Sequence, residues 1–200
     1  MNDRGRLRII GGSHRSRIVQ FAELHDRAGF RPTPDRVRET LFNWLGQDLR
    51  GRRCLDAFAG SGALAFEAAS RGASSVLALD EARDVIAALR RNQRTLGFET
   101  LCIEQADAFA WLAAAGGLAE RFDVIFLDPP FAADPWRRLA PLVLAVAAPG
   151  AAIYAESARE LGGDDLPGFS RLRHGRAGAV HYHLFVPLAA SDAATTSEDA

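Results

Sequence analysis

Apolar runs and amphipathic stretches alternate along the chain after residue 50. Short runs of consecutive apolar residues predict buried strands, and apolar positions spaced three or four residues apart predict helices. The predicted strands cover residues 53–58, 75–80, 101–105, 123–128 and 151–156. The predicted helices cover residues 62–71, 82–96, 107–115 and 135–147. Strands that alternate with helices indicate a doubly wound α/β domain with a mainly parallel sheet.

Both ends of the chain depart from this alternation. Two β-like runs, 169–174 and 179–187, are joined by a short link at 175–178 and predict a closing antiparallel pair. Before the domain, we predict a helix with Thr33 as its N-cap and Pro34 as its first residue. Its apolar face should pack on the core near the mouth of a pocket, and consists of Val37, Leu41, Phe42 and Leu45.

Length and composition fit one such domain. The 200 residues are 48% hydrophobic, which is enough to bury a full core. We expect a basic N-terminal extension with its covering helix at 1–50, the α/β domain at 51–188 and a solvated tail at 189–200. Cys54 and Cys102 lie in apolar runs without CxxC spacing, so we expect buried thiols and no metal site. Together with the lack of a signal-peptide pattern or a membrane-spanning stretch, this indicates a cytoplasmic protein.

Charge is distributed unevenly along the chain. Residues 1–53 contain 12 Arg against 6 acidic residues, whereas residues 54–200 contain 12 Arg against 19. The stretch 4–17 has no acid among its basic residues Arg4, Arg6, Arg8, His14, Arg15 and Arg17. Such a cluster is either a solvated arm or a surface that binds nucleic-acid phosphates. Ile9 and Ile10 could also form a small β-element that packs on the core.

The tetrapeptide Asp128-Pro129-Pro130-Phe131 follows the apolar run 124–127. The Asp128 carboxylate and the Pro129 carbonyl can accept hydrogen bonds from an exocyclic amine, and proline holds the backbone still. Phe131 offers an aromatic face on which a base can stack. This combination is typical of base amino methylation, although a strand that simply ends in Asp-Pro occurs in many folds.

A glycine-rich turn upstream suggests a nucleoside pocket. The apolar strand containing Leu55 runs into the turn 56–62, and a predicted helix follows. Glycines there let backbone N–H groups approach a ligand closely. A second apolar run ends at Asp80, where an acid can bind ribose hydroxyls; Glu81 takes this role if the strand end shifts by one residue.

These motifs leave other functional classes open. Gly60, Gly62 and Ala65 also fit the G-x-G-x-x-A fingerprint of NAD-binding oxidoreductases. Such an enzyme would leave 128–131 unexplained and would lack a substrate domain. A non-catalytic RNA-binding assembly factor could retain the fold, and adenine N6 in DNA is an alternative amine substrate.

The chain resembles the bacterial small-subunit (16S) ribosomal RNA guanine-N2 methyltransferase D family over most of its length. The resemblance rests on residues 8–12, 31–33 with 35–45, 58–62, 128–131, and 177–178 with 180, 182 and 184. The block Arg-Glu-Thr-Leu-Phe-Asn-Trp-Leu at 38–45 is its most specific part. The chain departs from the family at 13–16, in the segment 21–28, and at Asp80, where Glu is usual.

The resemblance implies a Rossmann-like class I S-adenosylmethionine-dependent methyltransferase fold without a metal. It implies that Asp80, or Glu81, binds the ribose, and that Asp107 binds the adenine amine unless it only caps the following helix. The methionine part of the cofactor would lie against Asp56, Ala57, Phe58, Gly60 and Gly62.

The implied substrate is a guanine of 16S ribosomal RNA, within a partly or fully assembled small subunit. The implied catalytic residues are Asp128, Pro129 and Phe131. We expect a monomer that contacts RNA through Arg6, Arg8, Arg15, Arg17, Arg31, Arg36 and Arg38 and has no membrane partner.

Overall fold

A computed structural model describes residues 4–22, 33–117, 121–130 and 134–189. Its main sheet contains β3 (Arg53–Asp56), β4 (Ser75–Asp80), β5 (Leu101–Gln105), β6 (Phe122–Leu127), β7 (Ala147–Ser157), β8 (Phe169–Ala177) and β9 (Val180–Pro187). A separate two-stranded ribbon contains β1 (Arg4–Arg8) and β2 (Ile18–Ala22). The helices are α1 (Asp35–Leu45), α2 (Ala63–Ser70), α3 (Arg83–Leu96), α4 (Ala108–Ala115) and α5 (Trp136–Val146).

The main sheet has the strand order β5-β4-β3-β6-β7-β9-β8. Strands β3 to β7 are parallel, and β9 runs antiparallel to both of its neighbours. This confirms the predicted α/β fold with a mainly parallel seven-stranded sheet. The chain leaves β3 toward β4 on one side and later returns to β6 on the other. Such a reversal opens a crevice at the carboxyl ends of the two central strands, where α/β proteins bind ligands.

Apolar residues cover both faces of the sheet because adjacent positions on a strand point to opposite sides. On β3, Cys54 belongs to one buried cluster and Leu55 to the other. The first cluster includes residues of α1, α2, α3 and the ribbon, and the second includes residues of α4 and α5. Helices on both faces therefore hold the strand ends in fixed positions around the crevice.

The β1–β2 ribbon packs its inner face on the first cluster. Leu7, Val19 and Phe21 are buried, whereas Arg6 and Arg8 alternate with them and are exposed. The side chain of Asn92 on α3 accepts a hydrogen bond from the Gln20 N–H at 3.0 Å and donates one to the Gln20 carbonyl at 2.6 Å. The small β-element expected at the start of the chain is thus a docked ribbon whose outer face is basic.

The start of α1 differs from the prediction. Pro34 is the N-cap and Asp35 the first helical residue, so Thr33 is not the cap. The Thr33 hydroxyl instead donates a hydrogen bond to the buried carboxylate of Glu156 at 2.7 Å. The predicted face is confirmed, since Val37, Leu41 and Phe42 are buried and Leu45 packs against the same cluster.

Two further predictions are corrected. The link between β8 and β9 is shorter than expected, because β8 continues through Gly175 to Ala177. Gly175 lies opposite Tyr182, and a Cβ there would lie 2.4 Å from the tyrosine ring, so this glycine permits close packing and does not form a turn.

Cys54 is buried, but Cys102 is exposed on the edge strand β5, and both thiols are free. In the described ranges, none of the helices has the length and apolar character needed to cross a membrane.

Candidate active site

Four acidic residues lie at the carboxyl ends of four adjacent strands. Asp80 ends β4 and Asp56 ends β3. Asp128 directly follows β6, and Glu156 is the penultimate residue of β7. Because these strands are parallel and adjacent, the four side chains share one edge of the sheet, beside the crevice between β3 and β6.

The glycine-rich turn between β3 and α2 is held against the end of β4. The Ala59 N–H donates to the Leu79 carbonyl at 2.8 Å, and the Gly60 N–H donates to Asp80 Oδ2 at 3.0 Å. Gly62 has φ of +79°, and a Cβ there would lie 2.5 Å from the Leu89 side chain. The turn can therefore follow this path only with glycine at that position.

Asp56 fixes the other side of the turn. Its Oδ2 accepts a hydrogen bond from the Ala65 N–H in the first turn of α2, at 3.1 Å. Ala57 is buried, and Phe58 is half-buried with its ring 6.1 Å from that of Phe109 on α4. The predicted cofactor residues 56–62 thus form one loop that hydrogen bonds hold to β4 and to α2.

Asp80 and Glu81 have different surroundings. Asp80 is buried, and its Oδ1 accepts a hydrogen bond from the Ala82 N–H at 2.8 Å, so each of its oxygens bonds to the backbone. Every carboxylate oxygen has a second lone pair, so Asp80 can also accept bonds from hydroxyl groups. Glu81 is exposed one residue beyond the strand. Asp80 therefore holds the turn and faces the crevice from the strand end.

Asp107 is the N-cap of α4. Its Oδ1 accepts a hydrogen bond from the Ala110 N–H at 2.7 Å, which confirms the capping role considered from the sequence. The side chain is exposed, and its second oxygen has no partner among the described residues. A role in binding an adenine amine is compatible with the cap.

The acids raise one another's pKa values. Burial, followed by repulsion from Asp80 and Glu156, raises the pKa of Asp56 to about 7. Burial and repulsion from Glu156 and Asp56 also raise the pKa of Asp128 well above its usual value. Each further proton or cation in the crevice relieves this repulsion. These carboxylates, as hydrogen-bond acceptors, therefore fit a ligand that carries positive charge, amines and hydroxyl groups.

Glu156 is a fourth acid at this edge of the sheet, and the sequence prediction missed it. It is buried and accepts hydrogen bonds from the Thr33 hydroxyl and from the Tyr154 hydroxyl, the latter at 2.9 Å. It thereby ties Thr33, two residues before α1, to β7, which is adjacent to the strand that precedes Asp128. Its position at the end of the apolar run 151–155 follows the same pattern as the other three acids and could have identified it.

The tetrapeptide 128–131 begins directly after β6, as predicted. Asp128 is half-buried, Pro129 is buried and Pro130 is exposed. Phe131 lies outside the described residues. Leu127 pairs with Ala155, which places Asp128 level with Glu156 across the sheet.

The predicted RNA-binding arginines separate into two groups. Arg6, Arg8, Arg15, Arg17 and Arg36 are exposed, and Arg31 lies outside the described part of the chain. Arg38 is a correction: it is only 1% exposed and belongs to the interior. Its guanidinium donates to Glu67 Oε2 at 3.1 Å, the Arg8 carbonyl at 2.9 Å, Asp35 Oδ1 at 2.6 Å and the Thr33 carbonyl at 3.2 Å.

Comparison with known proteins places the chain in a family. A family model described as "Conserved hypothetical protein 95" matches residues 7–186. Over 184 residues the chain is 39% identical to the ribosomal RNA small subunit methyltransferase D of Escherichia coli (strain K12), covering 90% of each chain. The chain belongs to the small-subunit ribosomal RNA methyltransferase D family.

Solved structures agree with this family assignment. The Escherichia coli protein yhhF is 36% identical, with a TM-score of 0.77 over 92% of this chain and 99% of that one. A 16S rRNA N2 methyltransferase of Thermus thermophilus, solved with AdoMet and guanosine, has a TM-score of 0.65 at 20% identity, over 92% of this chain and 50% of that one. The second likeness concerns the fold alone. The family match from 7 to 186 includes the end of β1, all of β2, the glycine turn and all four acids.

Proposed function

We propose that this member of the methyltransferase D family transfers a methyl group from S-adenosylmethionine to the N2 amine of a guanine in 16S ribosomal RNA. The observation that carries the proposal is the position of Asp128 and Pro129 beside Asp56 and the glycine turn, at the crevice between β3 and β6. An acceptor for a base amine and a pocket suited to a cationic nucleoside thus lie side by side. The family name of the relatives supports ribosomal RNA as the substrate.

The cofactor would be held by residues on both sides of the crevice. Asp80 would accept hydrogen bonds from the ribose hydroxyls, and the second oxygen of Asp107 would accept one from the adenine amine. Asp56 and the backbone of 57–62 would surround the methionine part. When bound, S-adenosylmethionine supplies an electrophilic methyl group on a positively charged sulfur.

The chain's contribution to the reaction is orientation of a weak nucleophile. The N2 lone pair of guanine is delocalised into the ring, so the free amine reacts slowly. Hydrogen bonds from its two N–H groups to the Asp128 carboxylate and the Pro129 carbonyl would draw the lone pair out of conjugation and aim it at the methyl group. Phe131 would stack on the extruded base. Because the methylated ammonium is strongly acidic, its proton can leave to water afterwards, and Asp128 need only accept hydrogen bonds.

The basic N-terminal region would recognise the RNA. The exposed side chains of Arg6, Arg8, Arg15, Arg17 and Arg36 can neutralise phosphates, and Arg31 would join them. We further propose that the protein works as a cytoplasmic monomer on a partly or fully assembled small subunit. Residues 1–50 would serve as its recognition extension and 51–188 as the methyltransferase domain, whereas the tail predicted at 189–200 lies outside the described residues from 190 onward.

Labelled methyl transfer tests this function. The purified protein is mixed with methyl-labelled S-adenosylmethionine and, in parallel, with unmethylated small subunits, naked 16S RNA and DNA. The expected result is label in the subunits or the RNA and none in the DNA. Label in DNA alone would favour adenine N6 methylation, and calorimetric binding of NADH but not of S-adenosylmethionine would favour an oxidoreductase.

A further inference from the structure

The β8–β9 hairpin carries a local excess of positive charge. Residues 166–188 include three Arg and three His but no acidic residue. Strand β8 ends the sheet order on this side, and its side chains from 171 to 174 are exposed. This charge lies far along the chain from the basic ribbon and has no role in the function proposed above.

Strand register places the hairpin turn on the side of the sheet where the parallel strands have their carboxyl ends and where Asp128 lies. Glu156 on β7 pairs with Tyr182 on β9, which pairs with Gly175 on β8. Because Asp128 is level with Glu156, all four positions form one row across the sheet. At a strand spacing of about 4.8 Å, β8 lies about 14 Å from β6 along that row. The hairpin is therefore close enough to meet nucleotides that flank a base held at Asp128.

Two of the three arginines in the hairpin keep their charge unneutralised. Arg171 Nη1 lies 2.7 Å from Glu160 Oε1 and is paired. Arg176 donates its Nε hydrogen to the Gly178 carbonyl at 2.9 Å, which orients the guanidinium at the turn and leaves its two terminal amino groups available. Arg173 is exposed, and across the described ranges neither Arg173 nor Arg176 has an acidic partner.

A histidine pair lies on the same face of the hairpin as Arg176. His174 Nε2 lies 3.0 Å from His181 Nδ1, and His181 pairs with Arg176 across the strands. Burial, and then the charges of Arg176 and His174, lower the pKa of His181. Glu160 opposes this effect from 3.8 Å beside His174 Nδ1 but is already paired with Arg171, so the guanidinium of Arg176 favours an anion at this turn.

The third histidine does not turn this cluster into a metal site. His183 lies close to the other two, but its Nε2 accepts a hydrogen bond from the Leu161 N–H at 3.0 Å. Its Nδ1 lies 3.2 Å from the Ala155 carbonyl and donates to it. Both ring nitrogens are used, so His183 has no lone pair left for a metal ion.

We propose that the β8–β9 hairpin is a second RNA-binding surface, where Arg173 and Arg176, on opposite faces of the exposed edge strand β8, contact phosphates of the strand that carries the target base. The inference rests on the proposed RNA methylation. The substrate strand would then be held on two sides of Asp128, by the ribbon and by the hairpin. Arginine suits this task because its planar fork of donors matches phosphate oxygens.

A different role for these charges predicts a different result. Arginines on an exposed edge strand also prevent edge-to-edge aggregation, and that role would not affect RNA binding. The test is the double variant Arg173→Ser/Arg176→Ser, in the full-length chain. Its control is Arg52→Ser/Arg121→Ser. This variant removes two exposed arginines that precede β3 and β6, at the amino ends of the parallel strands and so away from Asp128.

The measurement is the affinity for unmethylated small subunits at several salt concentrations. We expect the hairpin variant to bind about tenfold more weakly at low salt and to flatten the slope of log affinity against log salt by about 1.5, whereas the control keeps the wild-type values. Affinity for S-adenosylmethionine and kcat should stay within about twofold of the wild type. If the melting temperature of the double variant is below that of the wild type, the single variant Arg173→Ser is used instead and should give half of the slope change.

Each remaining outcome has one meaning. Unchanged affinity and slope in a folded hairpin variant would overturn the second surface while leaving the methyltransferase function intact. Equal losses in both variants would also overturn it, since the effect would then be one of net charge. If the wild-type protein neither binds nor methylates the subunits, the proposed function fails and the hairpin proposal fails with it.

Discussion

Arg38 and Glu67 form a buried ion pair, with Arg38 Nη1 3.1 Å from Glu67 Oε2. Glu67 also accepts hydrogen bonds from the Ile10 N–H at 2.9 Å and the Gly11 N–H at 2.8 Å, and it pairs with Arg71 at 2.8 Å. Since Glu67 lies in the helix that follows the glycine turn, this carboxylate connects the N-terminal extension to the cofactor side of the domain. Arg38 therefore stabilises the fold, although its position in the sequence predicted a contact with RNA.

Replacement of Arg38 should destabilise the protein. Removing one partner of a buried pair costs about 3–5 kcal/mol, so we expect Arg38→Ala to lower the free energy of unfolding by that amount in urea titrations. The exposed neighbour Arg36→Ala should change it by no more than about 0.5 kcal/mol. If Arg38→Ala were as stable as Arg36→Ala and instead weakened RNA binding, the structural role would be refuted.

Loss of Asp128 should affect turnover and spare cofactor binding. We expect Asp128→Ala to lower kcat by about 10², the scale of removing one transition-state contact, with the Kd for S-adenosylmethionine within a few fold. Asp123→Ala, at the opposite end of the same strand, should retain nearly full turnover. An equal loss of cofactor affinity in Asp128→Ala, seen by calorimetry, would show that Asp128 belongs to the cofactor site.

Asp80 and Glu81 can be distinguished by cofactor affinity. Asp80→Ala should weaken S-adenosylmethionine binding by about 1.5–3 kcal/mol, because bonds to a charged acceptor are lost. Asp80→Asn keeps one acceptor oxygen for the Gly60 N–H and should lose less. Glu81→Ala is expected to bind normally in the same calorimetric titration. The reverse ranking would assign the ribose to Glu81.

The raised pKa of Asp56 predicts a pH dependence. With a pKa of about 7, against an ordinary value of 3.8, the neutral form is favoured in the folded protein. The associated stability is fully present below about pH 4 and is lost as the pH rises through 7. A cationic ligand favours the carboxylate, so cofactor affinity should rise about tenfold between pH 6 and pH 8. Asp56→Asn should remove this rise in cofactor affinity between pH 6 and pH 8. If the affinity of the variant rose as much as that of the wild type, Asp56 would be excluded as the group that titrates.

The basic ribbon should contribute to RNA binding alone. Each phosphate contact adds about 0.7–0.9 to the slope of log affinity against log salt, so changing Arg6, Arg8, Arg15 and Arg17 to Ser should flatten it by about 3. The melting temperature and cofactor affinity should not move. An unchanged slope in this folded variant would mean that these four arginine side chains are merely solvated, and RNA recognition would have to be sought elsewhere.

The sequence predicted the elements of the central domain and the acids at their ends. Apolar runs that stop at Asp56, Asp80 and Asp128 specify both a strand and the residue exposed at its end. Parallel strands then bring those residues to one edge without further information. The positions of these three acids were thus available from local pattern alone, whereas their ligand contacts stay predictions.

Long-range contacts account for the wrong predictions. Thr33 looks like a cap, but its hydroxyl bonds to Glu156, 123 residues away in the chain. Arg38 lies three and four residues before the buried Leu41 and Phe42, a spacing that places it on the apolar face of α1. Glu67 is the one acid in the otherwise uncharged helix Ala63–Ser70. An acid there must be paired, but the sequence does not show which arginine pairs with it.

The most direct test of the proposed function is the identity of the methylated nucleoside. Small subunits from cells that lack the enzyme are incubated with the protein and S-adenosylmethionine, and their RNA is digested and analysed by mass spectrometry, with Asp128→Ala as the control. We expect one new N2-methylguanosine per 16S RNA with the wild-type protein and a rate about 10² lower with the variant. Methylation of adenine N6, or transfer that is undiminished in Asp128→Ala, would contradict the role assigned to Asp128 and the crevice beside it.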